Sequence, residues 1–178
     1  IYNSSFLISK TKNPQIYHKS KLVVGVENMP YKKFLEPLLG NALLDFGGTV
    51  STRATQNTRN VFEMDNGIKV APIICYESIY GEYVTEYVRN GAQFLAIITN
   101  DGWWNESQGY KQHLSYAKIR SIETRRSIAR SANTGSSAII NKNGEIISQL
   151  EYNVKGIING KINLSNKLTF YVRSGDFM

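Results

Sequence analysis

Residues 72–78 read PIICYES. An apolar run, Ile73-Ile74, delivers the only cysteine of the chain, Cys75, and Glu77 follows two positions later. A short apolar run closed by polar residues reads as a buried strand. Beyond it, residues 79–90, IYGEYVTEYVRN, carry Ile79, Tyr83, Val84, Tyr87 and Val88 at helical spacing, and Gly91 stands where a C′ glycine would. Residues 94–100, FLAIITN, form a continuous apolar run, which predicts a strand buried on both faces. Strand, helix and apolar strand in succession predict an α/β class with layered architecture. Cys75 falls at a strand-to-helix junction, and ligand sites in open α/β sheets gather at the carboxyl ends of strands. A thiol there can face a cleft and use the first backbone N–H groups of the following helix, which favour a thiolate and can hold an oxyanion. The other reading of Cys75 is a packed core thiol, because cysteine is a small, often buried hydrophobe.

Upstream, SFLIS (5–9) and QIYHK (15–19) read as short strands around the turn-forming KTKNP. Phe34, Leu35, Leu38 and Leu39 place a short helix within 31–44. Residues 45–60, DFGGTVSTRATQNTRN, read as a loop long enough to act as a lid. Asp65-Asn66-Gly67 supplies the positive-φ turn of a hairpin whose second strand ends at Cys75. Downstream, 110–130 is the longest helix candidate. Strands are predicted at SSAIIN (136–141), EIISQL (145–150) and GIINGKI (156–162), the first two joined by the turn NKNG. No internal repeat is evident.

Composition sets the bounds. The chain has 178 residues, 42% hydrophobic and 20% charged, which is globular and sufficient for one core. One cysteine excludes an internal disulfide framework, and one cysteine with two histidines makes a poor metal site. No stretch approaches the ~20 apolar residues that cross a bilayer. There is no signal peptide and no initial Met, so the chain is expected to be a piece of a longer protein. The net charge of +7 favours anionic partners, but the cations are scattered, with one denser run from Lys111 to Arg130. No basic-aromatic nucleic-acid module is present, and most of this charge is expected to be solvated surface.

A nucleophilic cysteine needs an activator. His18 and His113 are candidates for a Cys-His pair, but nothing local ties either to Cys75. His113 is better read as a structural residue of its helix. The stretch YHKSKLVVGVE (17–27) offers Lys19 and, eight positions on, Glu27. A buried ammonium stabilises a thiolate and later an oxyanion.

These stretches together resemble the nitrilase superfamily, the carbon-nitrogen hydrolase domain, and within it the apolipoprotein N-acyltransferases. The resemblance rests on Tyr17, Lys19, Leu22, Val23, Gly25 and Glu27; on Cys75-Tyr76-Glu77; on Asn100-Asp101-Gly102-Trp103; on Gln112-His113 and the Ala117–Glu123 helix; and on Arg130, Asn133, Gly135, Ser137 and Ala138. The tail LTFYVRSGDF, 168–177, resembles the family's approach to a last transmembrane helix. Val24 and Val26 stand where Pro and Gly are usual, and Trp104-Asn105 replaces Phe-Gly. Those departures touch loop geometry and lipid access.

The resemblance implies an α-β-β-α sandwich, of which residues 1–178 would be the C-terminal portion, without the first strands and helix and without the parent's transmembrane segments. It implies an acyltransferase. Cys75 would take a fatty acyl chain from a glycerophospholipid as a thioester. The N-terminal amine of an apolipoprotein's diacylglyceryl-cysteine would then accept it. Lys19 and the Tyr76 backbone N–H would hold the oxyanion, and Glu27 would orient Lys19 or assist proton transfer. The triad's general-base glutamate lies upstream in the family. No residue from 1 to 15 is a glutamate, so these 178 residues alone are expected to be inactive. Glu77 would support the cysteine loop, or merely favour a helix dipole. Trp103 would line the acyl or acceptor path, and Arg130 and Asn133 would brace the site from a strand end. Arg53 and Arg59 would meet lipid phosphates from a mobile flap, or be solvated. No cofactor, metal or nucleic acid is implied. The setting implied is the bacterial inner membrane, with the catalytic domain on its periplasmic face. The competing readings are a soluble amidase or nitrilase that uses the same Lys19 and Cys75, and a non-catalytic module that retains the fold.

Overall fold

A computed structural model describes residues 1–24, 26–28 and 53–176. The helix predicted within 31–44, the first part of the 45–60 loop, Gly25 and Phe177 lie outside the described residues. The chain opens with an antiparallel hairpin, β1 (Ser4–Leu7) against β2 (Gln15–His18), at the predicted positions. A six-stranded mixed sheet follows, built from β3 (Phe62–Glu63), β4 (Lys69–Ile74), β5 (Phe94–Asn100), β6 (Ile128–Asn133), β7 (Ser137–Ile140) and β8 (Ile146–Leu150) in that spatial order. β4, β5 and β6 run parallel, and the outer pairs are antiparallel.

The parallel strands are joined by helices, as parallel pairing requires. A 3-10 turn, Cys75–Ile79, and helix α1, Gly81–Arg89, connect β4 to β5. A short 3-10 turn, Gly102–Trp104, and α2, Gln108–Thr124, connect β5 to β6. α1 ends as its sequence predicts. Gly91 takes φ +98°, and the amides of Gly91 and Ala92 close on the carbonyls of Val88 and Tyr87, a Schellman motif. Val84, Tyr87 and Val88 of α1 join Ile73, Leu95, Ile97, Ile128 and Ile140 in one core.

Three expectations are corrected. The 110–130 helix stops at Thr124, where Arg125 turns left-handed at φ +51°, and Ile128–Asn133 is the strand β6. Arg126 and Arg130, read as part of a solvated basic run, are buried. Arg126 spends its donors on the carbonyls of Ala92, Thr124 and Lys167 and on Ser165 Oγ. Secondly, β5 is not buried on both faces. Leu95, Ile97 and Thr99 are buried, whereas Ile98 on the other face is 51% exposed. β4 is the strand with every position from Val70 to Ile74 buried. Thirdly, residues 156–162 form no strand. The segment crosses β7 and β8 instead: Gly156 packs on Leu150 and Gly160 on Ile139, before Ser165 N–H reaches the Gln93 carbonyl. α3, Phe170–Ser174, then docks through buried Val172, capped by Thr169, whose hydroxyl also binds the Glu123 carbonyl. No helix among the described residues is long and apolar enough to cross a membrane.

Candidate active site

β4 ends by presenting Cys75 in a conformation that costs energy. Its φ is +50°, in the left-handed region that non-glycine residues avoid at roughly 1–3 kcal/mol. The thiol is half-buried, at the mouth of the sheet's carboxyl edge. Two buried networks hold this elbow.

The first is centred on Glu77, which is fully buried. Its Oε1 accepts from Tyr17 Oη (2.6 Å), Tyr83 Oη (2.8 Å) and the Ser20 amide (2.7 Å). Its Oε2 accepts from the Ile74 amide at 2.8 Å, one residue before Cys75. Burial, then the Glu77 charge, push the Tyr17 hydroxyl well above its ordinary range and raise that of Tyr83, so both remain donors. Of the two roles the sequence left open for Glu77, this geometry is that of a tie between β2, α1 and the cysteine loop.

The second network is centred on Asp101, also fully buried. Arg130 Nη2 donates to Oδ2 at 2.6 Å, and Oδ1 meets His113 Nδ1 at 2.9 Å and the Thr99 hydroxyl at 3.0 Å. Burial pushes the Asp101 carboxyl up, but His113 and Arg130 outweigh it and hold it below its usual value. On the other side of its ring, His113 Nε2 lies 2.9 Å from Ser78 Oγ and 3.2 Å from the Cys75 carbonyl. Gly135 is required here: a Cβ at that position would land on the Asp101 carboxyl. Arg130 holds Asp101 and, through it, His113. Asn133 is exposed, and among the described residues its side chain meets Asn100 at 3.5 Å.

Facing Cys75 is a third arrangement. Lys19, 1% exposed, donates to Glu27 Oε2 at 2.6 Å. Glu27 also accepts from the Val23 amide at 3.0 Å and from Asn3 Nδ2 at 2.8 Å. Burial raises the Glu27 carboxyl, yet the Lys19, Val23 and Asn3 donors more than offset it and hold Glu27 ionised below its ordinary range. Lys19 itself is pinned by its amide on the Asn3 carbonyl, 2.8 Å. An ammonium has three donors and Glu27 takes one.

These groups share one cavity of about 540 Å³. Lys19, Glu27 and Cys75 lie on its walls with Tyr76, Arg53 and Asn100, and Val23, Val26, Ile74, Ile98, Trp103 and Trp104 supply apolar surface. Trp103 is half-exposed at this wall. Arg59 lies elsewhere: its guanidinium sits 4.5 Å from the Tyr83 ring centre and 3.1 Å from Glu86. His18 pairs with Ser4 and stacks on Tyr2, so it does not serve Cys75. No cluster of potential metal ligands occurs among the described residues. Sequence reasoning missed Asp101 as a hub. Its only signal was membership of the Asn100–Trp103 motif.

Comparisons with known proteins give the family and the fold. The chain is 35% identical over 181 residues to the apolipoprotein N-acyltransferase of Chlorobaculum tepidum, covering 99% of this chain and 34% of that protein. It is 32% identical to the apolipoprotein N-acyltransferase of Wigglesworthia glossinidia brevipalpis, over 98% of this chain and 34% of that one. The chain thus spans about a third of the length of these curated relatives. Among solved structures, a carbon-nitrogen hydrolase from Helicobacter pylori superposes with a TM-score of 0.64 at 13% identity, covering 86% of this chain and 54% of that one. That likeness is one of fold: an α/β nitrilase-type architecture. The Carbon-nitrogen hydrolase family model matches residues 1–167. The chain belongs to the carbon-nitrogen hydrolase family.

Proposed function

We propose that this chain is the C-terminal part of the catalytic domain of a lipid-to-protein N-acyltransferase that works through a thioester on Cys75. The observation that carries the reading is the convergence of Cys75, in its strained elbow, with the buried Lys19–Glu27 pair on one largely apolar cavity. The names of the relatives supply the substrate class.

In this scheme the Cys75 sulfur attacks the ester carbonyl of a phospholipid. Its proton passes to a glutamate general base supplied from outside these 178 residues. The oxyanion is held by the Lys19 ammonium and the Tyr76 N–H. Collapse expels the lysophospholipid alcohol, which takes up a proton, and leaves the acyl thioester. The free amine of a diacylglyceryl-cysteine then attacks that carbonyl, the amide forms and the thiol returns. Glu27, ionised beside Lys19, keeps the ammonium aimed. The apolar wall of Val23, Val26, Ile98 and Trp103 suits a hydrocarbon chain better than a small amide. The membrane surface, the inner-membrane location with the catalytic face outward, and inactivity of the isolated 178 residues belong to the same proposal.

The test is substrate choice by the full-length protein. Incubation with phospholipid and a diacylglyceryl-cysteine peptide is expected to give the N-acyl peptide and lysophospholipid in equal amounts. Ammonia release from small amides, with no peptide acylation, would replace this reading by amide hydrolysis. Turnover by residues 1–178 alone would refute the claim that the base lies outside them.

A further inference from the structure

We infer that His113, backed by Asp101 and Arg130, is a positioning residue that aims the Tyr76 N–H by clamping the carbonyl of Cys75. The inference rests on the oxyanion role proposed above for that N–H.

Three observations carry it. The Cys75 carbonyl accepts from Ser78 Oγ at 2.8 Å, and His113 Nε2, 3.2 Å from that carbonyl and 2.9 Å from Ser78 Oγ, grips it as an N–H donor, in the form of the ring that carries a proton on both nitrogens with Nδ1–H on Asp101. The ring is fixed from its far side by Asp101, which Arg130 holds at 2.6 Å. The clamp is also dry. His113 is 3% exposed, and Trp104, which lines the cavity, lies edge-on to its ring at 5.3 Å. Gly109 leaves the space for that indole, since a Cβ there would strike it.

The consequence follows from peptide geometry. In a trans peptide the C=O and the next N–H point to opposite sides of the chain. No peptide bond of the described residues is cis. A Cys75 carbonyl drawn back toward α2 therefore turns the Tyr76 N–H the other way, to the side where Cys75 and Tyr76 line the cavity. As one of the first amides of its 3-10 turn, that N–H has no carbonyl behind it in the helix. The elbow itself, Cys75 at φ +50°, is tied separately, through the Ile74 amide that Glu77 Oε2 accepts at 2.8 Å. Clamp and donor direction are one device, and His113 reaches the chemistry only through it.

The test uses the full-length protein and two reactions of the same thiol. Transfer of an acyl group to Cys75 develops an oxyanion. Alkylation by iodoacetamide displaces iodide and develops none. His113→Phe keeps the ring and removes both nitrogens. It is expected to lower kcat for acylation about 10- to 100-fold. KM and the iodoacetamide rate should stay within about threefold of wild type, because neither reads the oxyanion donor. His113→Gln, whose carboxamide can still meet the carbonyl, should recover most of the loss. Ser78→Ala should show the same pattern at smaller size, and decides the matter should His113→Phe fail to fold. An iodoacetamide rate that falls in step with kcat would overturn the inference, because His113 would then act on the thiol or the fold. An unchanged kcat would overturn it as well. Absence of any acyl adduct on the wild type would sink the acyl-transfer reading instead. The clamp would then be judged by the same variants on amide hydrolysis, which also passes through an oxyanion.

Discussion

Glu27 lines the cavity of Cys75 and Glu77 binds the amide that precedes it; both are buried carboxylates, and they are held by opposite means. Glu27 sits on the cavity wall against a cation, Lys19 at 2.6 Å. Glu77 lies beneath the elbow, and its four donors are neutral: two tyrosine hydroxyls and two amides. In the proposed mechanism, the difference sorts chemistry from architecture. A charge pair facing a cavity keeps an ammonium available to a reacting oxygen. A carboxylate wrapped in neutral donors has no direction left in which to act, and instead welds β2, α1 and the end of β4 together. Asp101 stands between the two cases, ion-paired to Arg130 yet sealed from the cavity behind His113.

Substitutions should separate these roles, and the largest effect is expected at the cavity wall. Lys19→Met should lower acylation of Cys75 by at least about 10³-fold. It should also cost about 3–5 kcal/mol of stability, because Glu27 is left buried without its cation. Both are readable from single-turnover kinetics and urea unfolding. Glu77→Gln should behave differently. An amide cannot accept from all four donors, so about 1–3 kcal/mol of stability is expected to be lost. Because the elbow loosens, thiol alkylation should change together with acylation. Equal stability with lost activity at Glu77 would erase the contrast and make it a chemical residue. Gly135→Ala should shift Asp101 and cost about 1–3 kcal/mol by overpacking, with a drop in melting temperature as the measure.

The pH dependence sharpens the same comparison at smaller amplitude. Glu27 and Asp101 are held below their ordinary values of 4.5 and 3.8. A carboxyl lowered by folding contributes stability that is complete above its unfolded value, and the contribution is lost as the pH falls through the folded value. The melting temperature should therefore fall as pH drops below about 4.5. Asp101→Asn should make that fall shallower at its acid end. A melting temperature that rises on acidification through this window would contradict both assignments.

Much of this was legible before any coordinates. Asp65-Asn66-Gly67, Gly91 and the PIICYES junction each carry a local signal, and each element formed where that signal placed it. Lys19, Glu27 and Cys75 were named from sequence patterns and now share a cavity. What was not legible depends on contacts between distant segments. Arg126 looks like any basic helical residue until the carbonyls of Ala92 and Lys167 converge on it. GIINGKI is strand-like in composition, but its two glycines serve close packing over Leu150 and Ile139. His113 found its partner in the Cys75 backbone, 38 residues upstream, where no spacing rule could point. Ile98 read as buried because a strand's own sequence does not say whether both faces are covered.

The most direct test of the central claim is the intact mass of the full-length protein after incubation with phospholipid and no acceptor, beside Cys75→Ser. A fatty-acyl mass increase that the serine variant lacks is predicted. An adduct that persists without the thiol, or no adduct while Cys75-dependent ammonia release from small amides proceeds, would contradict it.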